Sequence, residues 1–468
     1  MIEMTLAEIA QVVGGTAHGD ATVTGAAFVD TRTPEVDGLF VALVGERVDG
    51  HDFVDRAADA GAVAVLGSRV TGVPTVVVED VVQALGTLAR HVLQELDGVT
   101  TYALTGSQGK TGTKDYLAAI LEGDGPTVAT RGNFNNEIGV PLTVLRATPQ
   151  TKHLVVEMGA RHVGNIAYLC GIAPPDIAAV LNVGTAHIGE FGSREAIAQG
   201  KGEIVDSLTA EGTAVLNAAD PLVAPMAARA AGRVITFGDG GTVRATEVST
   251  DDLGRPSFDL QWRGSGATVH LPELGLHQVE NALAAAGMAL AAGLDLDAVA
   301  DGLTDAQPPS RWRMELHERA DGTVIVNDAY NANPESMGAA LDVLQGIAAR
   351  TGRRTIAVLG EMLELGEGTV AAHRQVGLKA AGAQVDVLVT VGTMAAHMAA
   401  AASEHGAWHG EAIVTVGRDE ALVWLRENVS AADVVLVKAS RGAALEVLAL
   451  ALTDTSSSET PGEGSSTP

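Results

Sequence analysis

The chain has a single cysteine, Cys170, so no intrachain disulfide can form and no cysteine cluster can hold zinc. That usage fits a reducing compartment, and a cytoplasmic location is expected. Aromatic residues are scarce at 3%, which leaves the cores to be built from Ala, Val, Leu and Ile. Positive charge is also short: 30 Lys and Arg face 58 Asp and Glu, a net charge of −28. A field of that sign repels nucleic acid and anionic lipid, so neither is an expected partner, and a bound nucleotide must be held by local donors. Long apolar runs are missing as well. Each is cut by Asp, Glu, Arg or Gly before it reaches spanning length, so no membrane insertion is expected. The first eight residues are acidic early and lack a basic stretch, so no signal peptide is expected.

What is present is a steady alternation of short β-rich runs with Ala/Leu-rich helical stretches. It predicts an α/β fold with mostly parallel, buried sheets. Strands are expected at 39–44, 63–66 and 75–78, then a helix over 81–96. A second block has strands at 101–104, 153–156, 177–181 and 214–216 and closes on a helix over 277–292. The third has strands at 324–326, 356–359, 387–389 and 434–437, an order resembling a doubly wound sheet. No Gly-x-Gly-x-x-Gly follows its first strand, so no dinucleotide is assigned to it. Polar breaks at Asp97-Gly98 and Pro308-Pro309 set the expected domains as 1–97, 98–308 and 309–453. Residues 454–468, rich in Ser, Thr, Gly, Glu and Pro, are expected to be a disordered tail.

The strongest chemical signal is Thr105-Gly106-Ser107-Gln108-Gly109-Lys110-Thr111-Gly112, set between a strand and a helix. In that context backbone N–H groups point at phosphate oxygens beside a helix N-terminus. Lys110 would reach the β- and γ-phosphates of ATP, and the Thr111 hydroxyl would ligate Mg²⁺. The spacing is Gly-x-x-Gly-Lys-Thr, with Leu104 where the longer form of the loop has a glycine. Glu157 and His187 follow later strands, and the crevice of an open α/β sheet lies beyond the strands' carboxyl ends. A carboxylate suits Mg²⁺ better than an imidazole does. His153 and His162 lack such placement and read as surface or cap residues. On composition alone, Lys201 reads as a solvated lysine. Arg311 and Arg313 flank Trp312, and the run from Asn327 to Pro334 puts polar groups at a strand end.

In order, these segments resemble the Mur ligase family over residues 5 to about 452. The resemblance rests on Asp30-Thr31-Arg32, on Gly45-Glu46-Arg47-Val48-Asp49-Gly50-His51-Asp52-Phe53, on the phosphate loop, and on Gly132-Asn133-Phe134-Asn135-Asn136-Glu137-Ile138-Gly139. It continues through Glu157-Met158-Gly159-Ala160, Thr185-Ala186-His187, Lys201-Gly202-Glu203, Asn327-Asp328-Ala329-Tyr330-Asn331-Ala332-Asn333-Pro334, Gly360-Glu361-Met362 and Val437-Lys438-Ala439-Ser440-Arg441. The shorter loop is the family's own form. The resemblance implies a small N-terminal α/β domain for a UDP-sugar, a central ATPase and a C-terminal Rossmann-like domain for the incoming amine. Within the family it points to the ligase that joins D-alanyl-D-alanine to UDP-N-acetylmuramoyl-tripeptide through an acyl phosphate, using ATP and Mg²⁺, and to a monomer.

The same resemblance implies the roles. Lys110, Glu157, His187, Lys201 and Arg311 would be catalytic, with Thr111, Glu157, His187 and Lys201, the last as a carbamate, serving the metal. Asn281 would read adenine, Arg311 the γ-phosphate and Asp328 the ribose. Asp30, Thr31, Arg32, Gly45, Asp49, Gly50 and His51 would contact the UDP-sugar, and Asn133, Asn135, Asn136, Asn331 and Asn333 would serve substrate. The chain departs from the family's usual residues at Gln278, Ser310 and Gly112, none of which removes a charge the reaction needs. A sibling that adds a diamino acid would carry an Asp-Asn-Pro-Arg signature, which is missing here.

Overall fold

The computed structural model of the chain describes residues 1–45, 48–184, 188–307 and 312–453. The described residues form two compact units: 1–247 with 258–269 and 279–307, and 248–257 with 270–278 and 312–453. Most of the first two blocks expected from the sequence thus lies in one unit, while 248–257 and 270–278 of the second block group with the third. The Pro308-Pro309 break and the tail at 454–468 fall outside the described residues.

The first unit opens on the helix Leu6–Val13, capped by the Thr5 side chain and by Glu8 reaching back to the Thr5 amide. A five-stranded sheet follows, in the order Thr16–His18, Thr75–Val77, Ala62–Gly67, Gly38–Val41 and Ala27–Phe28, parallel except at its first pair. The helix Val81–Gln94 buries Leu85, Leu88 and Val92. They join one core with Val140, Val144 and Ile166, so the first block and the central block share a hydrophobic interior.

A nine-stranded sheet carries the centre of this unit. Thr100–Thr105 lies between His153–Glu157 and Ile177–Val180, and parallel pairs continue through Thr213–Asn217 to Arg233–Phe237. The chain leaves Thr100–Thr105 toward one edge, through Thr127–Ala129 and His153–Glu157, and then crosses to its other side at Ile177–Val180. Such a reversal opens a crevice at the carboxyl ends of the strands. The Val/Ala/Leu composition of these strands suits burial on both faces.

One expectation is corrected here. His153 is not a surface or cap residue: it is 3% exposed, with its ring between the Tyr102 hydroxyl at 3.1 Å and the Asp124 carboxylate at 2.9 Å. Its strand is paired on both sides, so even its first residue is covered. Burial lowers its pKa, against the opposing pull of Asp124.

The second unit is built on a six-stranded sheet in the order Glu315–Glu318, Val324–Asp328, Asp433–Lys438, Arg354–Gly360, Val387–Val391 and Glu411–Thr415. Only the first pair is antiparallel. Asp433–Lys438 fills the gap between Val324–Asp328 and Arg354–Gly360, so this sheet too has a switch point, with Asp328, Lys438 and Gly360 at its carboxyl end. Among the described residues, no helix is long and apolar enough to cross a membrane.

Candidate functional site

The phosphate loop joins Thr100–Thr105 to the helix Lys110–Glu122. Gly109 precedes that helix with φ +79°, and a Cβ there would lie 2.3 Å from Asn281 Oδ1. Both the left-handed backbone and the close approach therefore call for glycine. The first helical hydrogen bond runs from Thr113 N–H to the Gly109 carbonyl, so the amides before it point past the helix's N-terminus, where an anion is favoured. Lys110 Nζ donates to the Gly106 carbonyl at 2.9 Å, which folds the ammonium back over the loop.

Glu157, at the carboxyl end of the neighbouring strand, is 2% exposed. Its Oε2 accepts from the Thr111 hydroxyl at 2.9 Å, its Oε1 from Asn135 Nδ2 at 2.7 Å, and its own N–H donates to Thr130 Oγ1 at 3.0 Å. A buried carboxylate and a loop hydroxyl thus converge on one point, a hard-oxygen donor pair of the kind Mg²⁺ takes. Among the described residues, no three His, Cys, Asp or Glu side chains form a metal cluster. His187 and Arg311 lie outside the described residues.

Lys201 is not solvated. It sits in the helix Arg194–Asp206 at 4% exposure, and burial, followed by the charge of Lys110, pushes its amine well below the usual lysine range. Its neighbours explain the motif around it. A Cβ on Gly202 would meet the Arg229 guanidinium at 1.8 Å, so a larger residue there would push the end of the Arg229 side chain aside. Glu203 accepts from the N–H groups of Gly164 at 2.6 Å and Ala167 at 3.0 Å, and so caps the helix Asn165–Ile172, whose own N-cap is a glycine with no side chain to offer. Glu203→Ala is expected to lower stability by about 1–2 kcal/mol, read as a shift in the urea midpoint; an unchanged midpoint would show that water replaces the cap at no cost.

The residues expected to meet the UDP-sugar form two turns of the first unit. Asp30 accepts from the Arg32 backbone at 2.9 Å and from its guanidinium at 2.6 Å, an interaction that lowers its pKa. Asp49 Oδ1 accepts from His51 N–H and from His51 Nδ1, while Oδ2 accepts from Arg69; these bonds hold its carboxyl well below the usual carboxylate range. His51 is buried, and its Nε2 accepts from Ser68 N–H at 3.0 Å. Both ring nitrogens thus tie the turn together. The Gly45 and Gly50 amides close it through the Val48 and Leu43 carbonyls. Thr31 lies within the Asp30 turn, closed by Thr33 N–H to the Asp30 carbonyl.

The asparagine run divides its labour. Asn133 accepts through its carbonyl from Asn135 N–H, Asn135 holds Glu157, and Asn136 caps the helix Gly139–Val144 through the Gly139 amide at 3.0 Å. In the second unit, Lys438 Nζ is buried against Asp328 Oδ2 at 2.5 Å and the Asn331 carbonyl at 2.9 Å, while Met314 N–H donates to Asp328 Oδ1. Each carboxylate oxygen keeps a second lone pair for a hydroxyl donor. Asn333 caps the helix Pro334–Thr351.

Sequence reasoning missed Asn182, Thr130 and Glu203. Asn182 stands just past the carboxyl end of the Ile177–Val180 strand, the same signal that singled out Glu157. Thr130 and Glu203 act on partners 27 to 39 residues away, which no local pattern marks.

Three family descriptions match the chain: "Mur ligase family, catalytic domain" over residues 29–92, "Mur ligase middle domain" over 104–289 and "Mur ligase, glutamate ligase domain" over 312–441. The UDP-N-acetylmuramoyl-tripeptide–D-alanyl-D-alanine ligase of Mycobacterium tuberculosis is 46% identical, over 97% of this chain and 98% of the relative. The ligase of the same name from Escherichia coli K12 is 37% identical, over 97% and 99%. Among solved structures, MurF from Acinetobacter baumannii superposes with a TM-score of 0.84 at 32% identity, covering 96% of this chain and 99% of that one. The MurF ligase of Thermotoga maritima in complex with ADP gives 0.77 at 30% identity, over 92% and 97%.

Proposed function

The chain belongs to the Mur ligase family, and from that premise we propose how its residues carry out the reaction. It is an ATP-dependent ligase that adds D-alanyl-D-alanine to UDP-N-acetylmuramoyl-tripeptide in peptidoglycan precursor synthesis. The observation that carries the mechanism is the convergence of the phosphate loop and Glu157 at adjacent strand ends, with Lys201 buried on the helix Arg194–Asp206 within reach of the Lys110 charge.

A carboxylate is a poor electrophile at neutral pH, because its charge repels a nucleophile and oxide is a poor leaving group. Phosphorylation solves both problems. A tripeptide carboxylate oxygen attacks the γ-phosphorus and the bond to the β–γ bridging oxygen breaks, giving an acyl phosphate and ADP. The dipeptide's amine then attacks the acyl carbon, phosphate leaves with the C–O bond electrons, and the nitrogen loses its proton to complete the amide. The first step brings two anions together, so fixed positive groups must offset their repulsion. Lys110 and the amides at the start of the helix Lys110–Glu122 hold the β- and γ-phosphates. Arg311 and Asp328 keep their assignments to the γ-phosphate and the ribose, and Asn281, packed at Gly109, to adenine. Thr111, Glu157 and His187 would hold Mg²⁺, which when bound supplies charge neutralisation for the triphosphate. Lys201, whose amine is pushed well below the usual lysine range by burial and then by the Lys110 charge, is suited to take up CO₂ as a carbamate, which would offer the metal an oxygen donor in place of a repelling ammonium. The turns at Asp30–Arg32 and Gly45–His51 are assigned to the UDP-sugar, the Asn133–Asn136 run, with Asn331 and Asn333, to the peptide substrates. ATP and the nucleotide-sugar place the reaction in the cytoplasm.

Phosphate release is expected to need ATP, Mg²⁺, UDP-N-acetylmuramoyl-tripeptide and D-alanyl-D-alanine together. Turnover of the dipeptide precursor with a diamino acid in their place would refute the substrate assignment.

A further inference from the structure

We propose that Asn182 is a positioning residue for the triphosphate, its carboxamide fixing the phosphate loop in the shape that receives ATP; the inference rests on the loop's being the ATP site. Asn182 Oδ1 accepts from Ser107 N–H at 3.0 Å and from Gln108 N–H at 2.9 Å, and Nδ2 donates to the Gln108 carbonyl at 3.2 Å. One planar carboxamide therefore holds both flanks of Gln108. The contact is extended by Ser107 Oγ, which accepts from Gly184 N–H at 2.9 Å.

Such a side chain is either a clamp or a stopper that phosphate must displace. The flanking backbone decides between them. Leu181 N–H donates to the Thr105 carbonyl at 2.9 Å, and the Leu181 carbonyl accepts from Asn217 Nδ2 at 2.9 Å. On the other side, Val183 N–H donates to Asp220 Oδ2 at 2.8 Å. A Cβ on Gly106 would lie 2.9 Å from Leu181 Cβ, so loop and segment are already in contact. The backbone is held before and behind Asn182, so the carboxamide could leave only by a side-chain rotation that breaks all three of its bonds to the loop. Two loop amides are turned toward it, leaving the phosphates to the helix start and Lys110. A neutral carboxamide also accepts from two N–H groups without placing negative charge beside the triphosphate, as a carboxylate would.

The test is to measure ATP and ADP binding calorimetrically on the full-length Asn182→Ala enzyme, together with the KM for each substrate. Loss of the clamp is expected to weaken ATP and ADP roughly ten-fold, the scale of one or two hydrogen bonds, and to leave the KM for UDP-N-acetylmuramoyl-tripeptide within about two-fold. Unchanged nucleotide affinity would overturn the proposal, as would tighter binding, which marks a stopper, or an equal loss for both substrates, which marks general disorder. Should the alanine variant not fold, Asn182→Asp keeps an acceptor for both loop amides but loses the Nδ2 donor and adds charge; undiminished ATP affinity there overturns the proposal as well. Lys110→Ala run alongside separates the two failures. If it weakens ATP while the Asn182 variants do not, only the role of Asn182 falls; if neither does, the loop is not the ATP site.

Discussion

Lys110→Ala is expected to lower turnover by about a thousand-fold or more, the loss that follows removal of one fixed charge-stabilising group from a phosphoryl or acyl transfer site. The Gly106 carbonyl anchors the ammonium over the loop, so the chain itself fixes its position and little reorganisation is needed at the moment of reaction. Lys110→Arg should not restore the rate, since a planar guanidinium cannot occupy the same point with the same donors. The measurement is phosphate release at saturating substrates, with urea unfolding as a check that the helix Lys110–Glu122 is still formed. Activity within ten-fold of the parent would exclude the loop as the phosphate site.

The second large effect concerns Lys201. Its amine is buried and lies near the charge of Lys110, and both effects favour the neutral form. A neutral amine attacks CO₂, forming an N–C bond and releasing one proton, so the carbamate is favoured by rising pH and by dissolved CO₂. Enzyme held at mildly acidic pH and stripped of CO₂ should lose most of its activity, and bicarbonate at neutral pH should restore it. Native mass spectrometry should find the mass of one CO₂ on the active protein and none on Lys201→Ala, which should be inactive under every condition. A free amine in a fully active preparation would sink the carbamate. The sign of the stability effect is the opposite of an ion pair's. The unfolded chain binds a proton that the folded, unmodified amine does not, so stability falls as pH drops below the unfolded value of 10.5 and levels off below the folded one.

These two lysines show how unevenly the site could be read from sequence. Lys110 is legible because its neighbours state its geometry: a strand, glycines that permit a tight turn, and a helix start. Lys201 in Gln199-Gly200-Lys201-Gly202-Glu203 carries no such local statement, and only the resemblance singled it out. Its burial comes from packing of the Arg194–Asp206 helix, and the glycine beside it makes room for Arg229, 27 residues on. His153 failed for the same reason in reverse. A polar residue at the start of a short apolar run looks exposed until the strand is known to have a neighbour on each side.

What the sequence determined by itself was therefore what is local or periodic. Strand and helix positions follow from runs of β-branched and small apolar residues, and the phosphate loop follows from glycine spacing, because backbone sterics act over a few residues. The family and its reaction were also legible, since ten short segments in order carry far more information than any one of them. Only the tertiary structure decided which groups meet. Placing Thr100–Thr105 between His153–Glu157 and Ile177–Val180 brings Thr111 to Glu157 and Asn182 to the loop across 46 and 74–75 residues of chain. Strand order arises from burying whole sheets and helices against one another, a global balance that no short stretch of sequence encodes.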